Sequence, residues 1–216
     1  MSEPLDVAAT RNAYDTVAAD YEELLRDELA QKPIDRAVLG AFAEYVVASG
    51  GGEVADLGCG PGRVTAYLAD LGLDVFGVDL SPGMVGVARA AHPELRFDVG
   101  TMASLDIPDA SLAGVVAWYS IIHTPPERQA GIFAEFARVL RPGGWLLLAF
   151  QVGDEVVHLQ RAYGHEIDLH TRRQSPERIR ELLEGAGLAE FARTVREPVA
   201  PEKSAQAYVL AVSLHA

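Results

Sequence analysis

The sequence predicts an α/β fold: a doubly wound, mainly parallel sheet of seven strands that ends in a C-terminal antiparallel hairpin, preceded by N-terminal helices. Three observations predict it. From Glu53 onward, short apolar runs alternate with helical segments, the order that places helices on both faces of a parallel sheet. A glycine-rich turn, Asp56-Leu57-Gly58-Cys59-Gly60-Pro61-Gly62, joins the first apolar run to the helix after it. The last two apolar runs follow one another with no helix between them, which suits an antiparallel pair at a sheet edge.

Taken in order, an amphipathic helix is expected over residues 12–29, with Tyr14, Val17, Ala18, Tyr21, Leu24 and Leu25 at helical spacing. A second is expected over 34–48, with Pro33 at its start and Ser49-Gly50-Gly51-Gly52 ending it. Strands then fall at 54–57, 75–78, 95–98, 112–119, 145–150, 188–197 and 206–214. Helices begin after the glycine turn and after Ser81-Pro82, where serine caps and proline opens the first turn, and after Thr124-Pro125-Pro126-Glu127, a capping-box pattern. Arg141-Pro142-Gly143-Gly144 is a sharp turn into the fifth strand. Residues 151–174 break the rhythm, being polar with His158, Tyr163, His165, Asp168 and His170 interleaved, and read as an insertion or lid over the strand ends. The 216 residues therefore read as one domain: a helical cap (1–50), a core (51–150), the insertion (151–174) and a closing helix and hairpin (175–216).

Composition narrows the function classes. A formal net charge of -13 without a cluster of Lys and Arg disfavours nucleic acid as a partner, because a phosphate backbone needs clustered cations to displace its counterions. The single cysteine, Cys59, cannot form an internal disulfide, and Met1-Ser2-Glu3-Pro4 lacks the basic and apolar regions of a leader peptide. No apolar run approaches the roughly twenty residues needed to cross a bilayer. A cytoplasmic protein with no membrane partner is expected, and the oligomeric state is left open.

The spacing of the glycines separates two kinds of nucleoside cofactor. A dinucleotide fingerprint places a third glycine at position 63, but Arg63 stands there and the pattern is G-x-G-x-G. Asp79, ending the second strand, is placed for a ribose diol in either case.

With these residues in place, the chain resembles the class I S-adenosylmethionine-dependent methyltransferases, and their small-molecule, UbiE-like (type 11) group in particular. The resemblance lies in three stretches in the right order: 54–62, then Gly77-Val78-Asp79-Leu80-Ser81-Pro82-Gly83-Met84, then Arg138-Val139-Leu140-Arg141-Pro142-Gly143-Gly144. It implies a Rossmann-like fold and use of S-adenosyl-L-methionine, with S-adenosyl-L-homocysteine as product. Carried over residue by residue, it implies that the backbone of Gly58, Gly60 and Gly62 lines the methionine portion, oriented from below by Asp56. Asp79 would accept from both ribose hydroxyls, and Leu80 and Met84 would pack on the adenine. Thr101 stands where the family usually has an acidic residue against the adenine, followed by Met102. Tyr14 and Tyr21 resemble aromatic covers of the methionine end. The stretch Trp118-Tyr119-Ser120-Ile121-Ile122-His123 occupies the place where the family's acceptor approaches the methyl group.

Methyl transfer from a sulfonium needs alignment, exclusion of water and management of the acceptor's proton, with no metal and no covalent intermediate. His123, Tyr119 and His165 are the candidate catalytic residues, His123 as a base because an imidazole titrates near neutrality. Base- and glutamine-amino-methylating enzymes carry an Asn/Asp-Pro-Pro-aromatic motif that is absent here, and the lone cysteine excludes thiol-dependent classes. Cys59 itself reads as a small buried filler. His165, Asp168 and His170 lie at spacings that no single helix face accommodates, so no metal site is expected. Arg172 and Arg173 are candidates to pair with an acceptor carboxylate. The reading is methyl transfer to O, N or S of a small-molecule acceptor by direct in-line displacement. A binding protein that has lost turnover and acts as partner or sensor is the alternative, and a nicotinamide dehydrogenase is disfavoured by Arg63.

Overall fold

The computed structural model describes residues 4–214; Met1, Ser2 and Glu3, on which part of the leader reading rests, lie outside them. The chain opens with α1 (Leu5–Leu25), a short 3-10 turn (Leu29–Gln31) and α2 (Pro33–Ala48). Then follow β1 (Val54–Leu57), α3 (Arg63–Asp70), β2 (Val75–Asp79), α4 (Pro82–Ala91), β3 (Phe97–Val99) and β4 (Leu112–Trp118). A second 3-10 turn (Ile121–His123), α5 (Pro126–Val139), β5 (Leu140–Gln151), β6 (Val156–Ala162), β7 (His165–Arg172), α6 (Pro176–Gly185), β8 (Leu188–Arg196) and β9 (Gln206–Ser213) complete it.

The main sheet has seven strands in the order β3-β2-β1-β4-β5-β9-β8, parallel from β3 to β5, with β9 antiparallel to both β5 and β8. This is the expected doubly wound architecture with its C-terminal antiparallel hairpin. β1 and β4 are buried at every position, which is why β4 reads as an unbroken apolar run and β1 as one broken only by the buried Asp56. One core cluster packs on α5 and α6 through Ile132, Phe133, Phe136, Ile179 and Leu183. The other packs on α2 and α3 through Leu39, Phe42, Val46, Val64 and Leu68. From β1 the chain winds outward through β2 to β3, then returns to β4 and winds the other way. The strand order thus reverses between β1 and β4, the place where open α/β sheets leave a crevice at the carboxyl ends of their strands.

Four expectations change. The first helix begins at Leu5 and ends at Leu25, so it is shifted towards the N-terminus; Asp6 and Thr10 are accommodated because their side chains face the surface or the site rather than the core. α5 lacks the capping box: Pro125 is its N-cap with no side-chain cap bond, and Thr124 is buried while its carbonyl accepts from Gln129 Nε2 at 3.3 Å. Arg141-Pro142-Gly143-Gly144 lies within β5 as an irregular stretch, where the register against β4 shifts between Leu112 and Gly114. Residues 151–174, far from irregular, contain the antiparallel pair β6 and β7, with His158 opposite His170. Residues alternate between inward and outward over most of this hairpin, with a bulge between Leu159 and Arg161, and Ile167 and Tyr163 pack with Tyr14, Val17 and Tyr21 of α1. A segment with few large apolar residues forms strands because α1 supplies the surface that one hairpin face needs.

Among the described residues no helix is long and apolar enough to cross a membrane.

Candidate active site

One cavity opens at the carboxyl ends of β1, β2 and β4, under α1, and its walls include Leu57, Gly58, Gly60, Asp79, Gly100, Trp118, Ser120 and His123. Its floor is the glycine turn. Gly58, Gly60 and Gly62 all adopt positive φ (+76°, +55° and +86°), which side-chain-bearing residues rarely do. A Cβ on Gly58 would lie 2.3 Å from the Cβ of Ser120, so the turn and the segment after β4 approach each other only through a glycine. The turn is tied to β2 by the Gly58 amide, which donates to the Val78 carbonyl at 2.7 Å.

Two carboxylates stand at this floor. Asp79 Oδ2 accepts from the Gly60 amide and Oδ1 from the Ser81 amide, both at 2.8 Å. Each oxygen keeps a lone pair for a further donor. Burial raises the Asp79 pKa, and the two amides act against that. Asp56 is wholly buried; Oδ2 accepts from the Thr65 hydroxyl at 2.7 Å, whereas Oδ1 has no partner. Burial pushes its pKa to about 7, opposed by the Thr65 bond. Arg63, at the first position of α3, lines the same cavity and pairs with Glu28 at 2.6 Å, leaving Nε unpartnered; Ser120 Oγ is also buried without a partner.

The roof is α1. Asp15 Oδ1 accepts from Ser81 Oγ at 2.6 Å and from the Gly83 amide at 2.8 Å, fixing the helix over the start of α4. Ser81 also caps α4 as the sequence suggested, accepting from the Met84 amide at 3.0 Å. Asp6 pairs with Arg128 of α5. Tyr14, Tyr21 and Tyr163 form an edge-to-face aromatic row, with centroids 6.0 and 5.0 Å apart.

Below Tyr14 sits His123. Its Nδ1 lies 3.1 Å from the His170 carbonyl, which can only accept, so Nδ1 carries the proton. Nε2 is then an acceptor, and it takes the Tyr14 hydroxyl at 2.8 Å. Burial holds the His123 pKa down to about 4, with the Arg172 charge helping and the His170 carbonyl opposing. The ring is therefore neutral across the physiological range. Just before it, Tyr119 has φ +55°, a strained conformation for a bulky residue that marks the turn leaving β4.

Most of the residues singled out from the sequence meet here: Tyr14, Tyr21, Asp56, Gly58, Gly60, Asp79, Leu80, Met84, Thr101, Met102, Trp118, Tyr119 and His123 all line the cavity. Two do not. Gly62 caps α3 in the left-handed conformation, and a Cβ there would meet Phe97 at 2.7 Å and His92 at 3.3 Å, so its contribution is to the turn and its packing. His165 pairs with Asp20 of α1 at 2.7 Å, on the outer side of the roof. Thr101 Oγ1 already accepts from the Ala103 amide at 3.3 Å, and Trp118 is stacked on Tyr208 at 5.5 Å. Cys59 is buried with Val85, Ala88 and Phe97, its thiol pKa pushed well up by burial, which fits a filler. Arg141-Pro142-Gly143-Gly144 lies at the opposite end of the sheet, where Arg141 donates to the Ser49 carbonyl at 2.8 Å. Arg63, Ser120 and Arg128 were not singled out as site residues; only the position of Arg63 just after the glycine turn could have pointed to it.

The residues fit S-adenosylmethionine. An unpartnered buried carboxylate oxygen, a second carboxylate with lone pairs to spare at the end of β2, and a glycine cradle that any Cβ would fill suit an ammonium, a ribose diol and a closely approaching chain. Residues 54–144 match the family described as methyltransferase domain. Over this stretch the chain is similar to S-adenosylmethionine-dependent methyltransferases, in agreement with the resemblance carried by its motifs.

Among similar proteins, the demethylmenaquinone methyltransferase of Beutenbergia cavernae is 35% identical over 147 residues, covering 68% of this chain and 58% of that one. The chain spans only 50–58% of the length of several curated relatives that it matches. Among solved structures, the 1,6-didemethyltoxoflavin-N1-methyltransferase of Burkholderia thailandensis, with its substrate and S-adenosylhomocysteine bound, superposes with a TM-score of 0.73 at 22% identity, covering 100% of this chain and 94% of that one. The magnesium protoporphyrin IX methyltransferase of Synechocystis PCC 6803 with bound cofactor gives 0.70 at 22% identity, covering 99% of both chains. At these identities the two structures bear on the fold.

Proposed function

We propose that the chain transfers the methyl group of S-adenosylmethionine to O, N or S of a small metabolite, in the cytoplasm. The observation that carries this reading is the set of buried, unpartnered polar atoms, Asp56 Oδ1, Arg63 Nε and Ser120 Oγ, gathered around one glycine cradle. Unpartnered buried atoms cost about 1–3 kcal/mol each, so they point to a polar ligand that satisfies them. Asp56 would hold the cofactor's ammonium, Asp79 its ribose, and Leu80 and Met84 its adenine. When bound, S-adenosylmethionine supplies an electrophilic methyl on a positively charged sulfur.

The chain's own residues would then align the acceptor and exclude water. Tyr14 and Tyr21 close the cavity from above, and Tyr163, packed on Tyr21, lets the hairpin of β6 and β7 hold that roof in place as a lid. His123 presents a basic nitrogen through the Tyr14 hydroxyl. With a pKa of about 4 it is a poor store for a proton at pH 7, at a cost of about 4 kcal/mol for three units. Its Nε2 instead accepts the Tyr14 hydroxyl and so fixes that ring in the cavity wall, and an acceptor arriving already anionic needs no base there. Arg128 lines the cavity next to His123 and feels the charge of Arg172, while Arg172 donates a long 3.4 Å bond to the His123 carbonyl. The Arg128 guanidinium in the wall, with the Arg172 charge behind His123, favours an anionic group such as a carboxylate in a strongly acidic chain.

The relatives named above act, by their names, on small molecules, which agrees with this acceptor class. The test is S-adenosylhomocysteine production with a panel of small carboxylates, phenols, amines and thiols. Cofactor binding without turnover on any of them or on cell extract would favour the binding-protein alternative.

A further inference from the structure

The hairpin formed by β6 and β7 carries a cluster that the active-site reading does not use. Its inward side is anchored, with Leu169 buried and Ile167 packed toward α1. Its outward side presents His158, Asp168 and His170. A strand places residues two apart on one face, so Asp168 and His170 share that face, and the register sets His158 directly across from His170. The two imidazoles are parallel, with centroids 4.3 Å apart and planes 2° from each other, and His158 Nε2 lies 2.7 Å from Asp168 Oδ1. One ligand atom from each of the three residues lies within 4.8 Å of the other two.

We propose that His158, Asp168 and His170 form a surface site for one divalent transition-metal ion of the zinc type. Two imidazoles and a carboxylate are the donor set that such ions favour, and water completes the coordination. Bonds of about 2.0–2.1 Å to a tetrahedral ion put ligand atoms roughly 3.4 Å apart. Small rotations of three exposed side chains bring the present spacing to that value, because the backbone is already fixed by the packed face. The ion takes the place of the proton shared by His158 and Asp168. The spacing objection raised by the sequence concerned a helix and a different trio; the strand period removes it, and His165 is not a member, being held by Asp20.

The site has a mechanical consequence. His170 offers its ring to the ion and its carbonyl to His123 Nδ1, so an ion joining β6 to β7 also steadies the group that fixes the His123 tautomer.

The test is calorimetric titration of the untagged full chain with Zn2+, alongside hydrogen exchange of the hairpin amides. Saturable binding at one ion per chain is expected, weakened at least about tenfold by Asp168→Asn or His158→Ala and unchanged by His165→Ala, with slower exchange across β6 and β7 when the ion is bound. Asp168→Asn keeps the shape and a hydrogen bond to His158, and identical thermal melts of the ion-free variants exclude a folding effect. The proposal is overturned by the absence of saturable binding, as a plain His158–Asp168 pair predicts, or by binding that survives both ligand substitutions.

Discussion

Replacing Gly58 with alanine probes the closest approach in the site. The added Cβ lands 2.3 Å from the Ser120 Cβ and 3.5 Å from the Met102 Cε, at a residue whose φ is +76°. The left-handed conformation costs a non-glycine residue about 1–2 kcal/mol, and forcing the overlap apart adds about 1–3 kcal/mol. A loss of about 3 kcal/mol corresponds to a melting temperature lower by roughly 6–12 °C for a chain of this size. Gly60→Ala is the internal control, because its φ is +55° but nothing lies within 4 Å of the new Cβ. That variant bears only the backbone strain, and its melting temperature falls by roughly 2–8 °C. The assay is thermal unfolding of both variants, with calorimetric titration of S-adenosylmethionine. Cofactor binding is lost in Gly58→Ala, since the segment after β4 must move away from the turn. If Gly58→Ala melts no lower than Gly60→Ala and binds with parental affinity, the cradle argument is wrong.

Asp79→Ala weakens S-adenosylmethionine binding by about 1–3 kcal/mol and also frees the Gly60 and Ser81 amides, so stability falls with affinity; calorimetry showing unchanged affinity refutes the ribose assignment. His123→Ala leaves cofactor affinity intact and lowers turnover, and a large loss of cofactor affinity would contradict its placement on the acceptor side. His123 also predicts a pH dependence of stability. Its folded pKa of about 4 lies below the unfolded value of about 6.5, so between these the unfolded chain holds a proton that the folded chain lacks, and stability rises with pH through that window by at most about 3 kcal/mol. Asp56 contributes with the opposite sign: its folded pKa of about 7 lies above the unfolded value of about 4, so its contribution falls as pH rises between them. Urea unfolding of His123→Gln and Asp56→Asn from pH 4 to 7 separates the two. The parent gains on the first variant and loses to the second as pH rises, and parallel profiles would refute the assigned burial.

Much of the site was legible because it sits where local chain chemistry is decisive. Glycines at 58, 60 and 62, an acidic residue one before the end of β1 and another ending β2 are all set by positive φ or by strand ends, which neighbours in sequence dictate. Gly62 shows the limit: the same local logic flagged it, yet Phe97 and His92, distant in sequence, take the space beside it. Ser120 was flagged only as part of the stretch 118–123, and Arg128 carried no signal of its own, since an arginine in a first helical turn is ordinary until α1 closes over it.

The segment after β5 divides the two kinds of information most clearly. Its histidines were visible as composition, but their partners depended on whether the chain there repeats every 3.6 residues or every two. The sequence by itself determined the strand and helix order, the glycine turn, Asp56 and Asp79, because these follow from apolar periodicity and backbone sterics within a few residues. Only the tertiary structure decided that α1 roofs the cavity, that His123 is held between Tyr14 and the His170 carbonyl, and that 151–174 is a hairpin. The His123 contacts join residues 47 and 109 positions apart, and the hairpin, though local in its own pairing, is held by packing of Tyr163 and Ile167 against α1, which no local pattern encodes.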